Sequence, residues 1–288
     1  MNTGYPEAAA LPRCYRHPDR ETGVTCTRCD RPICPDCLRP AAVGFQCPEC
    51  VARGNVGVRR ANAPYGGAVV DGALVTIVIA VLNVVVYVLT ALSSPGGFRN
   101  NSGSTLFFRL GLAPEFVAVR HEYWRLFTSM FVHYGLWHLL LNMMALGVVG
   151  AGLEPVFSRW RYLALYVIAG LGGSTAVYLF DRPESLSVGA SGAIFGLFGA
   201  YVVVARHAKL DFRPMLTVIG INVVLTLAIP GISKLAHFGG LFTGVLAAAI
   251  IVYAPKGRNR MPFQLLALGA VVAVMAGLVV LRTSQLLG

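Results

Sequence analysis

Charged residues are scarce in this chain: they make up 13% of its 288 residues, against about 25% in an ordinary soluble domain. Apolar residues make up 56% of the chain instead. This composition excludes an ordinary soluble protein and predicts a membrane protein. The formal net charge is +11 at pH 7, and the basic residues cluster between apolar runs. The lipid bilayer is therefore their expected partner, and we expect no nucleic acid.

Cysteine is absent from most of the chain, since all seven cysteines lie between Cys14 and Cys50. This distribution predicts a separate small domain at the amino terminus. The opening residues contain no apolar core of the kind that a secretory signal needs, so we expect the amino terminus to stay in the cytosol. Cysteines in that reducing compartment are expected to bind metal, and disulfides or free thiols are the alternative.

The cysteines have the spacing of zinc ligands. Six of them form three Cys-x2-Cys pairs, and the seventh, Cys14, pairs with His17 at the same spacing. Zinc takes four such ligands in a tetrahedron, so eight ligands predict two structural Zn²⁺ ions. The gap between Cys29 and Cys34 is short, which favours an interleaved pairing. The two predicted sites are Cys14, His17, Cys34 and Cys37, and Cys26, Cys29, Cys47 and Cys50.

This ligand pattern resembles the B-box and related cross-braced zinc fingers, in its ligands and their spacing only. Four protein ligands at each predicted ion leave no position for a substrate, so the expected role is structural or regulatory. A protein partner of the zinc module is a further expectation.

Seven apolar segments are candidates for membrane spans, which need about 20 mainly apolar residues each. With the amino terminus inside, the basic loops after the second, fourth and sixth spans lie in the cytosol, as the positive-inside rule requires. The long stretch 93–127 then lies outside, with Trp124 and Arg125 expected at the level of the lipid headgroups; an ordinary aromatic belt is the alternative. The predicted spans are 69–92, 135–153, 162–180, 187–205, 215–229, 234–253 and 263–281.

Three of these spans carry polar residues near their outer ends. His138 and Asn142 are four residues apart and share one helix face, Ser191 opens the fourth span, and His237 lies in the sixth. Unpaired polar groups are costly in hydrocarbon, so each is a candidate functional residue. The orientation places all of them at a similar depth, which predicts one shared site.

A serine becomes nucleophilic when an imidazole within hydrogen-bond reach takes its proton. Glycines beside Ser191 and His237 would let the two helices approach closely. No Asp or Glu follows Asp211, so we expect a dyad, with the ring of Phe195 stacked on the imidazole. His138, Asn142 and the amide of Ser191 are candidate oxyanion donors. The supporting glycines are Gly189, Gly192, Gly240 and Gly244.

Together these motifs resemble the rhomboid family of intramembrane serine proteases over roughly residues 69–253. The resemblance implies an all-α membrane protein with a six-helix bundle, Ser191 and His237 as the catalytic dyad, no cofactor for catalysis, and transmembrane protein substrates. Phe195 departs from the pattern, because the family often has Tyr there. The matching motifs are Trp124-Arg125, His138 to Asn142, Gly189-Ala190-Ser191-Gly192, and Ala236-His237 with Gly240 and Gly244.

The predicted organisation is a zinc module (1–54), a linker (55–68), a six-helix catalytic core (69–253), and a seventh transmembrane helix with a tail (254–288). We expect a multi-pass protein of the cell membrane, with its active site toward the outer face. Two other functions remain open. A transporter would use the polar residues as a pathway, although the chain shows no inverted repeat and no intramembrane carboxylate. A non-catalytic rhomboid-like protein would bind clients without cutting them, although both Ser191 and His237 are present.

Overall fold

The structure is a computed structural model that describes residues 10–58 and 62–288. The chain forms two compact units, one ending at Arg60 and the other beginning at Ala61. Residues 1–9 of the predicted zinc module and residues 59–61 of the predicted linker lie outside the described residues.

The amino-terminal unit is small, and its core consists of cysteines with Ile33 among them. Strands β1 (Arg39–Pro40) and β2 (Phe45–Gln46) form an antiparallel hairpin, and helix α1 (Pro48–Asn55) follows. The thiol of Cys47 accepts a hydrogen bond from the Cys50 amide at 3.3 Å, which caps the first turn of α1. Pro48 suits that turn because its fixed φ fits a helix and it has no amide to leave unpaired.

The second unit consists of helices joined by loops in the part of the chain that the structure describes. Its helices in chain order are α2 (Leu74–Leu92), α3 (Thr105–Leu110), α4 (Pro114–Val119), α5 (Arg125–Thr128), α6 (Gly135–Phe157), α7 (Arg159–Phe180), α8 (Ser191–His207), α9 (Arg213–Ala228), α10 (Lys234–Val252) and α11 (Arg260–Leu287).

Seven of these helices correspond to the seven predicted spans. Among the described residues, five are long and apolar enough to cross a bilayer: α2, α6, α7, α10 and α11. Helices α8 and α9 are apolar but shorter, at 17 and 16 residues, so each is only about 25 Å long. The protein is thus a multi-pass, all-α membrane protein.

Small residues set the close packing at the centre of the bundle, where α10 lies against both α7 and α8. A Cβ atom added at Gly240 would collide with the backbone of Gly192, and one added at Gly244 would collide with the backbone of Gly196. The two glycine faces that the sequence predicted on α8 and α10 therefore face each other. This contact brings the amino-terminal ends of α8 and α10 together.

The long stretch 93–127 contains the short helices α3 and α4 and the start of α5, none of which was predicted from the sequence. It is tied to the segment before α8, because Leu112 and Ser187 exchange two backbone hydrogen bonds of 3.0 and 2.9 Å. Farther along, the Gly189 amide donates to the Ser129 carbonyl at 2.9 Å. These bonds fix the chain that leads into Ser191.

A buried carboxylate anchors the start of α2. Glu154, near the end of α6, is fully buried and accepts hydrogen bonds from the amides of Val75 and Thr76, each at 2.9 Å. Free amides at a helix start favour a negative group, so Glu154 serves as a cap supplied by another helix.

Part of the predicted linker packs against the helical bundle. Ala63 and Tyr65 are buried, and the Tyr65 ring lies 5.6 Å from the ring of Phe157. The Tyr65 carbonyl accepts a hydrogen bond from Gln264 of α11 at 3.3 Å. Residues 62–68 are thus held by the second unit, and the predicted domain boundaries remain predictions.

Candidate active site

Ser191 and His237 are in hydrogen-bond contact although they are far apart in sequence. Ser191 is the first residue of α8 and His237 lies in the first turn of α10. The Nε2 atom of His237 lies 2.7 Å from the Ser191 hydroxyl oxygen. His237 is 7% exposed and Ser191 is partly buried, so the pair is largely shielded from solvent but remains accessible.

Phe195 supports the imidazole from one face. It lies one turn after Ser191 on α8, and its ring centroid is 4.0 Å from that of His237, with an angle of 20° between the planes. This is the stacked arrangement that the sequence predicted. Stacking restricts rotation of the imidazole and needs no phenolic hydroxyl.

The other nitrogen of His237 has a partner that the sequence did not indicate. Its Nδ1 atom lies 2.7 Å from the hydroxyl oxygen of Thr226, near the end of α9. Thr226 is 1% exposed. Threonines in membrane helices commonly bond to their own backbone, so nothing in the sequence distinguished this one.

His138 lies beside the serine, and its hydrogen bonds define which nitrogen carries the proton. The Tyr134 amide donates to His138 Nδ1 at 3.2 Å, so in the neutral ring the proton is on Nε2. A Cβ atom added at Gly189 would lie 2.9 Å from that Nε2 and 3.6 Å from the Ser191 hydroxyl oxygen. Because Gly189 has no side chain, this space between the two groups stays open.

Asn142 lies one turn farther along α6 on the same face. Its side-chain amide donates one hydrogen bond to the His138 carbonyl at 2.8 Å. The amide of Ser191 is at the first position of α8, where helix geometry leaves an amide without an intrahelical partner. His138, Asn142, Ser191 and His237 all line one open cavity of about 910 Å³.

The side chains of Trp124 and Arg125 lie in different environments. Trp124 is 52% exposed, as a side chain at the headgroup level would be, whereas Arg125 is 3% exposed. The Arg125 guanidinium turns into the loop, where it bonds to the carbonyls of Phe108 and Gly111 and forms an ion pair with Glu122. Its polar partners are therefore protein groups rather than headgroups, and it holds α3 near α5.

The amino-terminal unit brings the eight candidate metal ligands into two groups of four. The groups are Cys14, His17, Cys34 and Cys37, and Cys26, Cys29, Cys47 and Cys50. They are the same two sets that the sequence spacing favoured.

The distances within both groups fit a tetrahedral ion. The sulfurs of Cys14 and Cys37 are 3.9 Å apart, and those of Cys29 and Cys47 are 3.8 Å apart. Zn–S bonds of about 2.3 Å at tetrahedral angles place two sulfurs about 3.8 Å apart, whereas a disulfide needs about 2.05 Å. The donor sets therefore suit two metal ions.

Arginine side chains lie next to the thiols of the second group. Arg31 donates from Nε to the Cys29 sulfur at 3.3 Å and pairs with Glu49 at 2.6 Å. This hydrogen bond lowers the pKa of the Cys29 thiol to about 6. A lowered thiol pKa favours the thiolate, which is the form that binds a metal.

The fold and the two polar clusters define a multi-pass membrane protein with a shielded serine–histidine pair and a separate Cys/His unit. Comparison with known proteins places it more narrowly, since the rhomboid domain family matches residues 120–254. The YdcA protein of Bacillus subtilis (strain 168), provisionally named as a rhomboid protease, is 32% identical over 146 residues, which are 48% of this chain and 71% of that protein. The chain belongs to the rhomboid family.

Other relatives match over smaller shares of their length. RHOMBOID-like protein 1 of Arabidopsis thaliana is 38% identical over 147 residues, 49% of this chain and 37% of that protein. Rhomboid protease GluP of Bacillus subtilis (strain 168) is 36% identical over 159 residues, 52% of this chain and 31% of that protein. The matching region thus spans less than half of either relative. The family match over residues 120–254 contains both Ser191 and His237.

Proposed function

We propose that this protein is an intramembrane serine endopeptidase that uses Ser191 as nucleophile and His237 as general base. The observation that carries the proposal is the 2.7 Å contact between the Ser191 hydroxyl and His237 Nε2. Two residues from different helices meet there in a membrane domain, where unpaired polar groups are costly. The family includes proteins named as rhomboid proteases, which agrees with this chemistry.

In the proposed reaction, the Ser191 oxygen attacks the carbonyl carbon of the scissile peptide while its proton passes to His237 Nε2. The tetrahedral intermediate collapses as the imidazolium returns this proton to the leaving amine, which yields an acyl enzyme. Water then attacks the ester carbonyl while its proton passes to His237. As the acyl C–O bond breaks, the imidazolium returns this proton to the Ser191 oxygen, which restores the hydroxyl and releases the carboxylic acid product. No metal or cofactor takes part in these steps.

The developing negative charge on the substrate oxygen would be stabilised by three donors: Nε2–H of His138, the free side-chain N–H of Asn142, and the backbone amide of Ser191. The open space at Gly189, which lies within 4 Å of both His138 Nε2 and Ser191 Oγ, is where we place this oxygen. Preorganised donors of this kind lower the barrier because they need no reorganisation during the reaction. Trp124 and Arg125 support the site indirectly, through the loop that packs beside it.

The proposed substrates are transmembrane proteins with single helices that unwind near small residues. The carbonyls of an intact helix are bonded within the helix, so a segment must unwind before Ser191 reaches one of them. The cavity contains apolar side chains such as Leu141 and Leu225 beside the polar cluster. It therefore suits a chain that enters from lipid and is cut near the membrane face.

We propose a location in the cell membrane, with the amino-terminal unit in the cytosol and the active site toward the outer face. Support comes from the basic residues at the opposite end of the helices from Ser191, including Arg159, Arg206 and Arg258, as the positive-inside rule requires. A reporter fused after Gly288 should then be active only outside the cytosol, because seven spans reverse the side of the amino terminus. Reporter activity in the cytosol would contradict this orientation.

We further propose that the amino-terminal unit holds two structural zinc ions and binds a protein partner. All four donors at each site are protein atoms, and Cys26, Cys34 and Cys47 are fully buried. Each ion would link two ligand pairs that are separated by other parts of the short cysteine-containing stretch, which is how a unit without a large apolar core becomes stable.

The test of the protease proposal is a cleavage assay with the wild type and Ser191→Ala, each co-expressed with a tagged transmembrane substrate. The wild type should release a shortened fragment of the tagged substrate, and Ser191→Ala should release none at equal expression. Ser185→Ala, which changes a serine of the loop before α8, is the matched control and should cut like the wild type. Equal cleavage by wild type and Ser191→Ala would reject the nucleophile. Stable association with an uncut substrate in both would favour a client-binding protein.

A further inference from the structure

We infer that Thr226 is a positioning residue that holds His237 in the tautomer able to accept the Ser191 proton. This inference rests on the proposed function, because it concerns the base of the proposed dyad. Thr226 would thus add a third side chain to the proposed dyad. It lies on α9, a helix that carries neither Ser191 nor His237.

The positions of the protons follow from two short distances at Thr226. Its hydroxyl oxygen lies 2.6 Å from the carbonyl oxygen of Asn222. Two oxygens that close must share a proton, and a carbonyl has none to give, so the threonine proton points to Asn222. The same hydroxyl oxygen lies 2.7 Å from His237 Nδ1. The proton in that contact must therefore belong to Nδ1.

With its proton on Nδ1, the neutral imidazole has a free lone pair on Nε2. That lone pair faces the Ser191 hydroxyl at 2.7 Å. The opposite tautomer would put an N–H of His237 toward Ser191 and leave Nδ1 and the threonine oxygen facing each other without a proton. Thr226 thus selects the tautomer that can act as a base.

The same hydrogen bond fixes the ring in space. Phe195 holds one face of the imidazole by stacking, but stacking alone permits the ring to turn within its plane. A bond at Nδ1 removes that freedom. Both members of the bond are buried, with Thr226 at 1% and His237 at 7% exposure, so water competes little for either.

Thr226 therefore has the position that a carboxylate has in a serine–histidine–acid triad. A hydroxyl carries no charge, so it orients the imidazole but stabilises the imidazolium less than a carboxylate would. We accordingly expect a smaller effect on rate than the loss of a triad acid would produce.

The bond also connects the base to a helix with few other buried side chains. Of the residues in α9, all of which are described, Met215 and Thr226 are the buried ones. Displacement of the end of α9 would break the Thr226–His237 bond and leave the base without its orienting partner.

The experiment compares Thr226→Val with Thr226→Ser in the full-length protein. Valine keeps the shape of threonine and removes the hydroxyl, whereas serine keeps the hydroxyl. Thr217→Val is the matched control: Thr217 lies on the same helix, and its hydroxyl bonds to the Arg213 carbonyl as that of Thr226 does to Asn222, but it is exposed. We expect kcat for a transmembrane substrate to fall about threefold to tenfold in Thr226→Val with KM unchanged, and to stay near wild type in the other two.

A spectroscopic measurement separates positioning from a general structural effect. Nitrogen NMR of histidine-labelled protein, with His237→Gln used to assign the signal, should show the Nδ1–H tautomer in the wild type and in Thr226→Ser. Thr226→Val should show a mixture of tautomers at an unchanged thermal midpoint. An unchanged tautomer in Thr226→Val, or a lower kcat that Thr226→Ser fails to restore, would overturn the inference.

The inference and the proposed function fail in different ways. If Ser191→Ala still cuts the substrate, the protease proposal is wrong whatever Thr226 does. If cleavage depends on Ser191 but Thr226→Val matches the wild type in kcat and in tautomer, only the role of Thr226 is wrong.

Discussion

The two units of this protein gather polar side chains by different means. In the amino-terminal unit, eight ligands come from the short stretch between Cys14 and Cys50, and their pairs are two residues apart. In the helical unit, Ser191 and His237 come from separate helices and meet only because those helices pack closely. Local spacing thus specifies the first cluster, whereas helix packing specifies the second.

This difference predicts which kind of change will disrupt each cluster. The first cluster should fail when a ligand or the metal is removed, and the change should stay within that unit. The second should fail when helix packing changes, even if every polar side chain is kept. Four predictions test this contrast, in order of decreasing effect on the cleavage rate.

The largest effect should come from the proposed oxyanion donors. We expect His138→Ala or Asn142→Ala to lower kcat about 10²-fold to 10³-fold with little change in KM, because the oxyanion exists only near the transition state. Steady-state kinetics on a transmembrane substrate would measure this. His207→Ala, an exposed histidine at the end of α8, is the control. A rise in KM at constant kcat would assign His138 to substrate binding instead.

The second effect should come from a single methyl group at the helix contact. Gly240→Ala places a Cβ against the backbone of Gly192, so α8 and α10 must separate. We expect about 10²-fold slower cleavage, as for a misplacement of about 1 Å, and a loss of about 1–3 kcal/mol in stability. Rates and thermal unfolding in detergent would test both.

The control for that substitution is Gly269→Ala on α11, where the added Cβ would meet nothing within 4 Å. It should keep wild-type activity and stability, because alanine is the better helix former. Equal activity of Gly240→Ala and the wild type would show that close helix contact is not what joins the dyad.

Substitution of Phe195 should have a smaller effect on the cleavage rate. Phe195→Leu keeps an apolar side chain but removes the ring stacked at 4.0 Å on His237, so we expect kcat to fall about threefold to tenfold. Phe195→Tyr retains the stacking and should stay within about twofold of the wild type. A drop with tyrosine as large as that with leucine would argue against stacking as the source of the effect.

The smallest effect on cleavage should come from the zinc unit. Metal analysis should find about two zinc ions per chain, from eight ligands taken four at a time. Cys26→Ala should lose bound zinc and unfold this unit, yet cleavage in detergent should stay within about twofold of the wild type, because Cys26 belongs to a compact unit that contains none of the proposed catalytic residues. Complete loss of proteolysis after deletion of residues 1–50 would show that the two units are functionally coupled.

The sequence predicted much of the fold because its strongest signals are local. Apolar length marked the seven helices to within a few residues at most ends, and ligand spacing marked the two groups of four in the small unit. The polar residues of three spans, placed at a similar predicted depth in the membrane, also indicated that Ser191 and His237 would share a site. These features depend on patterns that lie within one segment or follow from membrane orientation.

The features that the sequence did not predict depend on contacts between distant segments. Helices α3 and α4 lie in a long connection without clear periodicity, and Arg125 turns inward because Glu122 and two carbonyls surround it. Glu154 caps a helix that is almost eighty residues away in the chain. The role proposed for Thr226 rests on two interatomic distances that define where its hydroxyl proton points, and the sequence does not give these distances.

The central claim is that the hydroxyl of Ser191 is activated by His237 inside the helical unit. The most direct measurement is labelling of the full-length protein in detergent with a serine-reactive fluorophosphonate, followed by peptide mass spectrometry. We predict that Ser191 is modified in the wild type, and that His237→Ala lowers the labelling rate at least about 10²-fold. Absence of label on Ser191 in folded protein, or equal labelling in His237→Ala, would contradict the claim.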